Sequence, residues 1–125
     1  MIQQQTILKV SDNSGAKTAK CIKVLGGFKK KVAYPGDTVV VSIQQLRNKS
    51  KKTSKVKKGE IYRAIILRTK KHIRNKEHTF TSFNDNAISL INKQNNPIAT
   101  RIIGPISKKL KNQHSKIVSL SPGFL

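Results

Sequence analysis

A chain of 125 residues is long enough for one domain with a buried core, and this one sets 26 Lys and Arg against five Asp and Glu, a formal net charge of +21. Such charge strains a compact state by self-repulsion unless a polyanion neutralises it, which points to a phosphate backbone and to counterion release on binding. The composition excludes a basic disordered tail, because hydrophobic residues reach 36%. It also excludes a disulfide framework or CxxC site, with Cys21 alone, and a membrane span, with no apolar run near the ~18 residues one needs.

Along the chain, short β-branched blocks alternate with turn signals, the pattern of an all-β barrel or sandwich. Residues 6–10 read as a first strand ended by Asp12-Asn13-Ser14-Gly15, and 17–25 as a second closed by Gly26-Gly27. Pro35-Gly36 supplies the central pair of a type II turn, Pro setting φ and Gly accepting φ > 0. Residues 37–46 form a half-buried strand, with Val39, Val41 and Ile43 on one face and Thr38, Val40 and Ser42 on the other. Lys57-Lys58-Gly59 turns into 61–69, whose nearly continuous apolar character marks a central strand.

Residues 79–83 and 87–91 flank Asn84-Asp85-Asn86 as an expected hairpin. Gly104-Pro105 followed by ISKKLK places Pro at a first helical position, with Ile106 and Leu110 at i, i+4. Residues 115–120 suit strand or helix equally, and Ser121-Pro122-Gly123 ends regular structure. The expectation is one domain over 1–125, a barrel to about residue 98 and a helical appendage over about 99–125.

The cations cluster at Lys29-Lys30-Lys31, between Lys49 and Lys58 (with Lys51 and Lys52), between Arg68 and Lys76 (with Lys70, Lys71 and Arg74), and from Lys108 to Lys111. Loops projecting from a barrel can follow a curved phosphate backbone while the barrel keeps their register. With 21 lysines to five arginines, point-charge neutralisation of phosphates is favoured over bidentate reading of bases. Phe28, Tyr34, Tyr62, Phe80, Phe83 and Phe124 are too scattered for a stacking platform of the single-strand-binding kind. Phe28, beside Lys29, suits a ribose, another protein or a plain hairpin tip. The implied mode is backbone recognition of folded RNA.

Catalysis and metal binding find no support. His72, His78 and His114 share no ligand spacing, Asp12, Asp37 and Asp85 lie in turn contexts, and Glu60 and Glu77 lack sequence partners. No cofactor, no metal site and no membrane partner is expected. A free nucleic-acid-binding module or an RNA-processing enzyme would fit the charge alone.

The segments LKVSDNSGAK (8–17), CIKVLGG (21–27), PGDTVVVSI (35–43), KVKKGEIYRAIILRTKK (55–71), FNDNAISLIN (83–92), TRIIGPI (100–106) and KIVSLSP (116–122), in this order, resemble the L-fourteen family of large-subunit ribosomal proteins, bacterial or organellar branch. The resemblance implies a mainly β protein: a small five-stranded β-barrel with a projecting β-ribbon and short C-terminal helices. It further implies a structural role in the large ribosomal subunit, binding to large-subunit rRNA, an intersubunit bridge to small-subunit rRNA, and contacts with neighbouring large-subunit ribosomal proteins.

By position in the motifs, the RNA contacts implied are Asn13, Ser14 and Lys17 in the DNSGA turn, Lys23 in CIKV and Lys29 to Lys31 at a ribbon tip. Arg68, Lys70 and Lys71 in RTKK and Arg101 in TRIIGP complete them. Ile106, Lys109 and Leu110 lie in the segment that docks other proteins in the family. The chain departs from the family at Asn75-Lys76-Glu77-His78, where Asp-Gly is usual, at Ala99 in place of Gly, at Lys109 and Lys111 in place of Glu and Arg, and in a longer loop over 47–54. The Lys bias, with abundant Ile and Asn, suggests an AT-rich coding genome, and MIQQQTILKV lacks a signal or transit pattern. The expected location is the mitochondrial matrix, within the mitochondrial ribosome, with a bacterial cytoplasm or plastid as the alternative.

Overall fold

The computed structural model describes residues 1–47 and 53–125, so Lys49, Lys51 and Lys52 lie outside the described residues. Among the described residues seven strands form: β1 Ile7–Val10, β2 Ala16–Val24, β3 Thr38–Leu46, β4 Ile61–Arg68, β5 Ile73–Arg74, β6 Phe80–Thr81 and β7 Ala87–Ile91. Five of them close into a barrel in the order β1-β2-β3-β4-β7, while β5 and β6 make a separate two-stranded ribbon. All barrel pairings are antiparallel except β1 with β7, whose parallel contact Lys9↔Ala87 and Val10↔Ile88 shuts the barrel. Register shifts within β2 and between Ile66 and Arg68 of β4 supply the local twist that a small closed barrel requires.

Alternation decides what fills the interior. Leu8, Val10, Ala19, Cys21, Val39, Val41, Ile43, Ala64, Ile66, Ile88 and Leu90 all point into one buried cluster. The alternation expected of β3 is observed, Val39, Val41 and Ile43 being buried and their neighbours half-buried. The Pro35-Gly36 turn also forms as expected, with Gly36 at φ 94 and the Asp37 amide donating to the Tyr34 carbonyl at 3.0 Å.

From Ala64 onward β4 is buried on both faces because a second cluster covers its outside: Ile65, Leu67 and Ile91 pack against Ile102, Ile106, Leu110 and Ile117. The C-terminal segment is therefore a lid over β4 and β7. Backbone bonds sew it down, from Ile103 N–H to the Ser11 carbonyl at 2.7 Å and from Ser107 N–H to the Leu67 carbonyl at 3.0 Å. Residues 115–120, ambiguous in sequence, form helix α1 (Ser115–Leu120), with Ile117 buried. No helix among the described residues is long and apolar enough to cross a membrane.

Several expectations are corrected. The hairpin between 79–83 and 87–91 does not form: Phe80–Thr81 pairs with Ile73–Arg74, and Ala87–Ile91 pairs with β4 and β1. All five residues of β7 are buried, so the strand belongs inside the barrel wall rather than in an exposed ribbon. The helix expected after Gly104-Pro105 shrinks to one 3-10 turn, Lys108–Leu110, capped by Ser107. Ile106 is extended instead, bridging to Phe124. Lys29 to Lys31 occupy an irregular loop between β2 and β3; the ribbon is β5–β6. Nor are cations confined to loops, since Lys9, Lys17 and Lys23 project exposed from the barrel strands themselves.

Candidate nucleic-acid interface

The acids determine which cations face outward uncompensated. Asp12 is fully buried; one carboxylate oxygen accepts from the Ser14 amide (3.1 Å) and hydroxyl, the other from the Leu90 amide (2.9 Å). Asp37 accepts from the Tyr34 amide at 2.8 Å and the Lys30 ammonium at 3.0 Å. Glu60 accepts from the Tyr62 hydroxyl and the Lys57 amide. Asp85 pairs with Arg68 and, at 3.4 Å, with Lys9. Four of the five acids are thus engaged internally, and only Glu77 has no such bond among the described residues. The positive field outside is left almost undiluted.

Three basic surfaces result. The first is an open groove of about 890 Å³ on the barrel wall, lined by Lys9, Lys17, Gln44, Gln45, Leu46, Arg47 and Lys58. Lys17 was expected here, and Lys58 ends one of the basic runs; Lys9 was not singled out. Lys9 could have been found, because it is the outward residue between the inward Leu8 and Val10. The second surface is the 26–33 loop, where Lys29 and Lys31 are exposed beside Lys23 and Lys30 is held half-buried on Asp37. The third follows β4: Lys70, Lys71 and Arg74 are exposed. Nearby, a groove of about 670 Å³ lies between the ribbon and the 3-10 turn, lined in part by Arg74, Lys76, Phe80, Lys108, Lys109 and Leu125.

The DNSGA turn divides its labour. Ser14 is buried with its hydroxyl on Asp12, and so it supports the turn from within. Asn13 is exposed, but its amide is engaged: Oδ1 accepts from the Thr100 amide at 2.9 Å and the Arg101 amide at 3.3 Å, and Nδ2 donates to the Thr100 hydroxyl at 2.6 Å. The turn thereby fixes the backbone from which the exposed Arg101 side chain projects. Lys17 and Arg101 are the residues of this corner that present charge to solvent.

Arg68 requires a correction. Expected at an RNA contact, it is only 7% exposed and its guanidinium donates inward through five bonds. Nε and Nη2 reach Asp85 at 2.6 and 3.3 Å, Nη2 also reaches the Ser11 hydroxyl at 3.0 Å, and Nη1 reaches the carbonyls of Ile103 and Pro105 at 3.2 and 3.0 Å. Every N–H of the fork is used, which leaves none for a phosphate. Ile106 and Leu110, expected to face a protein partner, are both fully buried in the second cluster, while Lys109 is exposed.

The titratable groups are arranged for structure. The Asp85 carboxyl is held below its usual range chiefly by the Arg68 hydrogen bond, against the opposing effect of burial. Burial pushes the Tyr62 hydroxyl up to about 12, helped by its bond to Glu60, and raises the Cys21 thiol. His78 meets the Arg74 guanidinium, His114 Nε2 lies 2.8 Å from the Gly36 carbonyl, and His72 is exposed. Among the described residues no group of three or more His, Cys, Asp and Glu could hold a metal ion.

Comparison with protein families finds a match over the whole chain: the family model described as ribosomal protein L14p/L23e covers residues 1–125.

Proposed function

Because the chain belongs to the ribosomal protein L14p/L23e family and is thus a structural protein of the large ribosomal subunit, we propose that it holds large-subunit rRNA by its phosphate backbone and reaches small-subunit rRNA across the subunit interface. The observation that carries this reading is the disposition of charge: exposed lysines on the barrel wall, the 26–33 loop and the segment after β4, with four of five carboxylates engaged by hydrogen bonds within the protein. Cations on separate surfaces suit a protein that contacts more than one RNA body. The RNA contacts proposed are Lys17, Lys23, Lys29, Lys31, Lys70, Lys71, Arg74 and Arg101, to which the barrel groove adds Lys9, Arg47 and Lys58. Asn13 and Ser14 act by positioning this corner. Lys109, beside the exposed Phe80 and Leu125, suits a neighbouring ribosomal protein. The ribosome meant is the mitochondrial one, supported by the Lys-rich, Arg-poor composition.

Cosedimentation tests the core of the proposal. The protein should travel with the large subunit in low salt, and finding it mainly elsewhere would overturn the assignment. Arg101→Ala should lower incorporation into the large subunit more than Lys108→Ala; equal incorporation would remove Arg101 from the contact set. For the bridge, Cys21 is buried, so a tethered radical source attaches selectively to an introduced cysteine. From Lys31→Cys, Lys71→Cys or Lys109→Cys, at least one should cleave small-subunit rRNA in joined ribosomes. Cleavage confined to large-subunit rRNA from all three would refute the bridge.

A further inference from the structure

Phe28 is 92% exposed, the most exposed large hydrophobic residue among those described. Its loop is nonetheless well anchored at the base. Leu25 N–H donates to the Thr38 carbonyl at 3.1 Å, Ile2 and Ala33 exchange two backbone bonds at 3.1 and 2.8 Å, and Lys30 is tied to Asp37 at 3.0 Å. Gly26 at φ 94 and Lys29 at φ 53 bend the tip between these anchors, so the ring is carried outward on a fixed support. The Lys29 ammonium lies 5.5 Å from the ring centroid. Beside the loop is an open groove of about 490 Å³ lined by Gln3, Gln4, Lys23, Lys30 and Lys31 with two valines. Lys23, Lys29 and Lys31 are exposed, and among the described residues none has a carboxylate within ion-pair distance.

An exposed aromatic ring with one ammonium group against it, and further exposed lysines on the same loop and the adjoining strand, discriminates between partners. An apolar protein pocket closing over Phe28 would strip water from three uncompensated cations, a cost that nothing in the loop offsets. A nucleotide presents a π-face for the ring together with phosphates for the cations, and a base stacked on an aromatic side chain is favourable whatever its identity. A base inside a duplex offers no open face, so the partner must be unpaired. We propose that the 26–31 loop is a binding site for one unstacked nucleotide of folded RNA, Phe28 stacking on the base while Lys23 and Lys31 hold the flanking phosphates. The site rests on the RNA-binding reading above and adds to it a contact with a base.

The test uses the full chain and two RNA probes, a perfect duplex and the same duplex with one bulged 5-iodouridine. The bulged probe should bind about tenfold more tightly, within the range that one base on one aromatic ring provides. Irradiation should cross-link the bulge to Phe28. Because the ring is exposed, Phe28→Ala should fold normally; it should lose the preference and the cross-link while keeping duplex affinity and its salt dependence. Phe28→Tyr should retain both, and Phe28→Leu should lose the preference. A preference that survives Phe28→Ala or Phe28→Leu, or a cross-link mapping elsewhere, overturns the stacking site and leaves backbone binding standing. Equal affinity for both probes, with Phe28→Ala instead weakening a protein contact in the subunit, also overturns it. Failure to bind either probe would sink the RNA-binding reading and the site together.

Discussion

Arg68 shows how a residue in a basic motif can serve the fold. It is the only Lys or Arg among the described residues that is buried, and it joins Asp85, Ser11 and the 103–105 backbone in one network. Arg68→Ala leaves two carbonyls without their Arg68 donor and Asp85 with Lys9 as its one remaining ion pair, and should cost about 2–4 kcal/mol of stability by urea unfolding. Arg68→Lys should recover little, since an ammonium cannot span these acceptors. The network also sets an acid limit. Asp85 has its folded-state pKa depressed below the ordinary 3.8, chiefly by Arg68, so its contribution is fully present above 3.8 and is lost as pH falls through the folded value. Asp85→Asn should therefore flatten the fall in stability below that pH, leaving the part from Glu60, whose carboxyl is lowered chiefly by the Tyr62 bond. An unchanged acid limb would show that Asp85 is not the group responsible. Parity with Ala64 and Ile66 favours the inward side, but the register shift between Ile66 and Arg68 interrupts the alternation, so pattern alone does not fix the side. Its place at the head of RTKK, before the exposed Lys70 and Lys71, argued the other way.

At the scale of elements, the strands that bury one face were readable because period-2 patterning and burial coincide, as in β3. β4 was readable as central, but what covers it was not: Ile102, Ile106, Leu110 and Ile117 come from a segment with almost no regular structure to signal it. The pair Ile106 and Leu110 was visible as an apolar i, i+4 spacing and belongs to the core before it belongs to any partner. The strands of the ribbon, expected from the resemblance, were not readable from pattern for a related reason. Two residues per strand carry no period, and its turn uses Asn75-Lys76-Glu77-His78 with His78 at φ 62, where glycine is the easier residue. The Asn75 amide donates to the Thr79 carbonyl at 2.8 Å across this turn. His78→Gly should stabilise the ribbon by about 0.5–1 kcal/mol, read as slower exchange of the Asn75 amide. Global unfolding should barely move, because β5–β6 pairs with no barrel strand. Faster exchange in the variant would mean that the Arg74–His78 contact outweighs the backbone strain.

For the whole molecule, the net charge of +21 makes one prediction with two signs. Only three ion pairs form among the described residues, and each draws on Asp37 or Asp85. Most lysines therefore repel one another in the folded protein without compensation, and the repulsion acts over a screening length of ~10 Å at 0.1 M salt. Added monovalent salt should stabilise the protein alone, because it screens repulsion that is stronger in the compact state than in the unfolded chain. The same salt should weaken binding to RNA: log K should fall linearly with log salt, by ~0.9 per phosphate contacted in a duplex, since the counterions released on binding are harder to release into a concentrated solution. Urea midpoints and RNA affinities measured across one salt series should thus move in opposite directions. Replacing a wall lysine such as Lys17 by Gln should reduce both slopes. A variant that loses affinity with its salt slope unchanged would place that lysine outside the phosphate contacts. A free protein destabilised by salt would mean that its few ion pairs, rather than the repulsion among its lysines, govern the charge energy of the fold.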